Sequence, residues 1–158
     1  MSSTDVGSAG STETPEPSTI DMKLEVVQLP VSDIDRAKQF YLSLGWRFDI
    51  DLVVSDDFRV IQITPPHSGC SIQFGRGRTA AEPGSAQGMF LVVEDIDAAR
   101  DDLVRRGVDI SEVEVQKPPG LDAPGRSYFA QATFSDPDGN SWILQEVTTR
   151  LPGREWED

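Results

Sequence analysis

Apolar and polar residues alternate over residues 23–31 (KLEVVQLPV), which places Val27, Leu29 and Val31 on one face of a strand. From Ile34 the apolar spacing widens to that of a helix. Ile34, Ala37, Phe40, Tyr41 and Leu44 fall on one stripe, with Ser32 and Asp35 at capping-box spacing before it and Gly45 as a stop after it. Three apolar-rich segments follow at 46–54, 57–64 and 70–75, and each is predicted as a strand. The succession then recurs. Met89, Leu91 and Val93 form a strand face, and Ile96, Ala99 and Leu103 a helix face that ends at Gly107. Segments 109–115, 127–135 and 141–148 read as three more strands, with Asp136-Pro137-Asp138-Gly139 as a tight turn between the last two. The predicted class is α+β, with the order βαβββ occurring twice.

The recurrence is visible residue by residue. Val31-Ser32-Asp33-Ile34-Asp35-Arg36-Ala37 matches Val93-Glu94-Asp95-Ile96-Asp97-Ala98-Ala99 without gaps at a separation of 62, and six of the 16 positions from 31 to 46 are identical. The modules are assigned to 22–80 and 85–150 of a single domain, 22–150, with a C-terminal tail at 151–158. Residues 1–21 are assigned to a disordered tail. The first 20 contain five Ser, four Thr, two Pro and two Gly and no Lys or Arg, so they offer little apolar surface to offset the entropy of ordering. They lack the basic start and apolar run of a secretory signal, and no apolar stretch nears membrane-spanning length.

Charge and cysteine content narrow the partners. The formal net charge is −13, with Asp5, Glu13, Glu16 and Asp21 in the tail, and this field repels a phosphate backbone. Neither nucleic acid nor a membrane is an expected partner. Cys70 is the only cysteine, which excludes an intrachain disulfide and a thiolate zinc site and fits a reducing cytoplasmic location. It is read as a buried small hydrophobe.

Taken together, LPVSDIDRAKQFYLSLGW, VVEDIDAARDDLVRRGV and FSDPDGNSWILQEV resemble the vicinal-oxygen-chelate superfamily of glyoxalases, bleomycin-resistance proteins and extradiol dioxygenases, over residues 23–148. The resemblance implies paired βαβββ modules forming a curved mixed sheet around a cleft, which in this family usually holds a divalent metal on His or Glu. The ligand positions fall on Val26, Gln73, Gly88 and Ile143. Three of these offer no donor atom and glutamine is a weak neutral one, so no metal and no cofactor is expected. Glu25 and Glu146 stand nearby, but a one-residue slip would turn Val27, Leu29 and Val31 away from the helices. His67, the only histidine, lies in the loop TPPHSG and is read as solvated.

Alternation from those four positions turns Leu24, Val26, Gln28, Ser71, Gln73, Phe90, Val92, Phe129, Gln131, Thr133, Ile143 and Gln145 toward the cleft. The opposite residues, Val27, Leu29, Ile72, Phe74, Met89, Leu91, Trp142 and Leu144, are apolar, as helix-facing positions require. The candidate ligand-binding set is Val26, Gln28, Ser71, Gln73, Phe90, Phe129, Gln131, Ile143 and Gln145. Apolar walls with a few amides suit a small-molecule pocket. No carboxylate, His or Lys is placed there for acid–base chemistry, and no catalytic residue is assigned.

The expected function is sequestration of a small aromatic or antibiotic-like molecule, as in the bleomycin-resistance branch. The alternative is a metal-independent isomerase, lyase or cyclase using Tyr128, Arg59 or Arg126, each of which reads equally well as an ion pair or a packed aromatic. A metal-dependent lyase or dioxygenase is disfavoured by the four ligand positions. Loop 116–126 reads as a lid or as an inert connection. A homodimer is expected, because open curved sheets leave edges that a second copy can cover.

Overall fold

The computed structural model describes residues 14–122 and 124–154. The first module comprises β1 (Val26–Gln28), α1 (Ile34–Ser43), β2 (Arg47–Ser55), β3 (Phe58–Thr64) and β4 (Ser71–Arg76). The second comprises β5 (Met89–Val93), α2 (Ile96–Arg105), β6 (Glu114–Val115), β7 (Ala130–Ser135) and β8 (Ser141–Glu146). The α+β class and the paired βαβββ modules are those expected. The sheet is divided, however, into two four-stranded mixed sheets, ordered β1-β4-β3-β2 and β5-β8-β7-β6. In each, the first strand pairs in parallel with the last and the other contacts are antiparallel.

The residues identical in the two copies are those that start and stop the helices. Asp33 and Asp95 are the N-caps, in extended backbone, and accept from Arg36 N and Ala98 N at 3.0 Å. Gly45 and Gly107 follow the helix ends at φ 83° and 87°, a left-handed conformation that strains other residues. The cap expected at Ser32 therefore belongs to Asp33. Ser32 Oγ instead donates to the Asp138 carboxylate on the β7–β8 turn.

Several strands are shorter than their apolar patterns. Pro30 has no N–H to donate, and β1 ends at Gln28, although Ser71 N→Glu25 O and Leu29 N→Gln73 O extend its ladder at 2.8 Å. The strand expected at 109–115 is reduced to Glu114–Val115 plus one bridge from Ile110 to Phe134. Residues 127–129 form a turn with Tyr128 at φ 72°, so β7 starts at Ala130. Of the expected N-terminal tail, residues 14–21 are exposed and outside any helix or strand, and residues 1–13 lie outside the described residues. The C-terminal tail is described only to Arg154. Among the described residues, no helix is long and apolar enough to cross a membrane.

One core joins the modules. Leu29, Ile61, Ile63, Ile72 and Phe74 from the first sheet meet Ala132, Phe134, Trp142 and Leu144 from the second, with Tyr41, Leu44 and Leu103 from the helical segments between them. The Tyr41 ring lies 5.4 Å from Trp46, 5.9 Å from Phe74 and 6.0 Å from Trp142, so α1 packs against both sheets. The segment DPDGN locks this joint. Asp136 accepts from Tyr41 Oη and Asn140 Nδ2, each at 2.8 Å, and fully buried Asn140 also donates to Pro30 O and accepts from Ala86 N. Burial, reinforced by the Asp136 carboxylate, raises the Tyr41 phenol far above its usual range, so it stays a neutral donor. With both helix-facing surfaces in one core, the opposite surfaces of the two sheets face outward.

Candidate functional site

The outer surface of sheet β1-β4-β3-β2 is built by register. Val26 lies beside Ser71, and Gln28 beside Gln73, which is opposite Gln62 on β3. Their odd-even partners Val27, Ile72 and Ile63 point to the helix side, as the sequence pattern requires. The amides are not free. Gln28 Nε2 donates to Gln73 Oε1 at 2.7 Å, Gln73 Nε2 to Gln62 Oε1 at 2.8 Å, and Gln62 Nε2 to Asp49 Oδ2 at 3.1 Å. Arg78 Nη2 also donates to Gln73 Oε1 at 2.9 Å. Thr64 donates to Asp49 and lies 2.7 Å from Ser71 Oγ. Asp49 is held down to about 2 chiefly by the hydrogen bond from Arg47, with Thr64 and Gln62 adding to it, so it is an ionised acceptor at neutral pH.

Sequence reasoning missed Asp49, Gln62, Thr64 and Arg78. Gln62 and Thr64 were legible, since these polar residues alternate with apolar Ile61 and Ile63 along β3. Asp49 was not, because the register shifts between Phe48 and Ile50, and this irregularity turns Asp49 onto the outer face. Ile50 and Leu52, opposite Gln62 and Val60, add exposed apolar surface beside the amides.

The outer surface of the second sheet carries Phe90, Val92, Gln131, Thr133, Ile143 and Gln145, with Phe90 beside Ile143 and Gln131 beside Gln145. Phe90 and Val92 remain 52% and 43% exposed. Gln145 Nε2 donates to Tyr128 O at 3.0 Å, and the Phe129 ring faces the Lys117 ammonium at 5.9 Å from the turn rather than from a strand. Eight of the nine candidate residues thus fall in two groups, four on each sheet, and Phe129 stands on the turn before β7. Leu24, Val27, Cys70, Ser71, Phe90 and Leu91, drawn from both modules and from both faces of their sheets, line a groove of about 290 Å³. A second cavity of about 210 Å³, walled by Leu44, Trp46, Leu91, Leu103 and Phe134, lies on the core side of the joint. Cys70 is half-buried, and burial raises its thiol above the ordinary range.

The family's metal does not fit these residues. Val26, Ile143 and the left-handed Gly88 present no donor, and Gln73 already uses both ends of its amide. Glu146 is buried on the helix side, where it accepts from Ile96 N and from Arg126 at 2.8 and 3.0 Å. Among the described residues, no three His, Cys, Asp or Glu side chains converge as a metal site would need. The groups weighed for catalysis are committed elsewhere. Arg59 bonds Asp51 and Asp35, and Arg126 bonds Glu146 and Asp97, so each ties its sheet to an aspartate in a helix first turn. Tyr128 Oη accepts from Leu151 N at 3.1 Å.

Comparison with known proteins places this geometry. The sequence model of the family described as the Glyoxalase/Bleomycin resistance protein/Dioxygenase superfamily matches residues 23–144. Among solved structures, TnmS3, described as an antibiotic binding protein from Streptomyces sp. CB03234, is 29% identical with a TM-score of 0.65 and aligns 83% of this chain with 99% of its own. A glyoxalase/bleomycin resistance protein from the same organism is 30% identical, with a TM-score of 0.61 over 78% of this chain and 100% of its own. A superfamily member from Sphaerobacter thermophilus DSM 20745 is 27% identical, with a TM-score of 0.63 over 80% and 98%. No curated protein matches the chain.

Proposed function

From the premise that the chain belongs to the glyoxalase/bleomycin resistance protein/dioxygenase superfamily, we propose that it is a metal-free member that binds and sequesters a small, uncharged, partly aromatic molecule of antibiotic-like character. The observation that carries this reading is the make-up of the two outer surfaces. Each sets amides (Gln28, Gln73, Gln62; Gln131, Gln145) among apolar side chains (Val26, Ile50, Leu52; Phe90, Val92, Ile143), with Asp49 of the first bonded by Arg47 and Glu114, opposite Gln131 on the second, bonded by Gln116. The likeness to an antibiotic binding protein over most of both chains supports the same class of ligand.

Neither surface encloses a ligand by itself, and we read the working protein as a homodimer. The β1-β4-β3-β2 surface of one copy would face the β5-β8-β7-β6 surface of the other, making two composite clefts. Exposed Ile50, Leu52, Phe90 and Val92, together with the nine-residue edge strand β2, supply apolar area for that contact. The test is a thermal-stabilisation screen against metabolites and antibiotics, where a ligand at 100 times its Kd adds about 2.7 kcal/mol. Recovery of the stabilising compound unchanged supports the reading. Its conversion to product would instead identify a metal-independent enzyme.

A further inference from the structure

An amide side chain does not reveal which end donates until a neighbour fixes it. On the outer surface of the first sheet that neighbour is Asp49, which only accepts. Gln62 Nε2 donates to Asp49, so Gln62 Oε1 turns to Gln73 and takes its Nε2. Gln73 Oε1 then faces the other way and takes Gln28 Nε2 and Arg78 Nη2. All three amides are oriented in one direction. The row ends on Gln28 Oε1, which is shielded and has no hydrogen-bond partner, and Arg78 Nε is an equally shielded donor without one. Both belong to side chains that bond the same oxygen, Gln73 Oε1, so the two side chains lie side by side. The Phe58 ring, 5.3 Å from Arg78 Cζ, supports the guanidinium.

We propose that Gln28 Oε1 and Arg78 Nε form a paired recognition point for an N–H or O–H beside a carbonyl, so that the site selects carboxamide- or lactam-like ligands over their N-alkylated forms. The inference rests on the reading of this surface as a ligand surface. A buried polar atom without a partner is costly, and a ligand group that completes both atoms recovers that cost on binding. Gln28 stands at the end of the row and is only half-buried, so its side chain can shift toward a ligand without reversing the row. Asp49 is a positioning residue. It contacts no ligand, but its charge sets the direction of the row.

The test uses benzamide and N,N-dimethylbenzamide, titrated into the full chain and followed by amide chemical shifts. Benzamide should shift resonances around Gln28, Gln73 and Arg78 and bind about tenfold more tightly than its dimethyl form, about 1.4 kcal/mol. Gln28→Met should erase the ratio while leaving the melting temperature and the assembly mass unchanged. Asp49→Asn, whose amide can donate or accept, should also reduce the ratio, which a merely structural role would not move. If Asp49→Asn fails to fold, the Gln28→Met ratio decides alone. Equal binding of both probes at this surface overturns the inference and leaves the ligand-binding reading standing. Absence of shifts from either probe overturns both. Weakened self-association in Gln28→Met, with the ratio intact, assigns the unmatched oxygen to a second copy and overturns the inference.

Discussion

Replacing Asn140 by Ala removes the side chain that fastens the two modules. Asn140 is fully buried, donates to Pro30 O and Asp136 Oδ2 at 2.8 Å each, and accepts from Ala86 N at 3.0 Å. Truncation leaves the Ala86 main-chain N–H of the inter-module linker without a partner, whereas Pro30 O keeps its bond from Gly84 N at 3.1 Å. The orphaned donor, together with the bonds lost to Pro30 O and Asp136, costs about 2–3 kcal/mol. For a chain of this size that lowers Tm by about 5–9 °C, which thermal unfolding followed by circular dichroism will read. Gln116→Ala, which deletes an exposed bond to Glu114, is the control and should stay within about 0.5 kcal/mol of the parent. A loss below about 1 kcal/mol for Asn140→Ala would refute the assignment of DPDGN as the joint.

Gln73→Leu should destabilise the fold by about 1–2 kcal/mol in denaturant titration, because it orphans Gln62, Gln28 and Arg78 rather than removing a free cleft amide. Val27→Gln, which puts an amide on the helix-facing side of β1, should cost about 1–3 kcal/mol by the same assay, and tolerance of it would place the register of β1 in doubt. Asp49 is more acidic folded, at about 2, than its ordinary value of 3.8, so its contribution is present above pH 4 and is lost as pH falls toward 2. The stability gap between the parent and Asp49→Asn should therefore be open at pH 6 and closed near pH 2; a gap constant with pH counts against the Arg47–Asp49 pairing. Deletion of residues 1–21 should leave Tm unchanged, and a fall of several degrees would show that this segment packs on the domain.

Much of the fold was legible because its local signals are strong. Buried Ile72, Phe74, Trp142 and Leu144 follow period-two alternation, and the helix boundaries follow the repeated Asp-Ile-Asp and Gly. The cap was misplaced by one residue because Ser32-x-x-Asp35 and Asp33-x-x-Arg36 overlap, and only the three-dimensional pull of Asp138 on Ser32 separates them. The mutual setting of the sheets was not legible. Alternation says which side of a strand is buried, whereas the packing of Tyr41 against Trp142, 101 residues away, decides that both buried sides share one core. Three of the four metal positions were readable as lacking donors and Gln73 as a weak one, but the hydrogen-bonded row behind Gln73 depends on the β2 irregularity that brings in Asp49.

The composite cleft is tested most directly by mixing two disabled variants. Gln73→Trp fills the first-sheet surface, and Ile143→Trp fills the second-sheet surface. Each variant alone should fail to bind a compound recovered from the stabilisation screen. In a mixed dimer, obtained by co-refolding equal amounts, one cleft carries both substitutions and the other carries neither. Calorimetric titration should then show parental affinity at one site per mixed dimer. Binding that stays absent in the mixture, with mixed dimers confirmed by mass, would contradict a cleft shared between two copies.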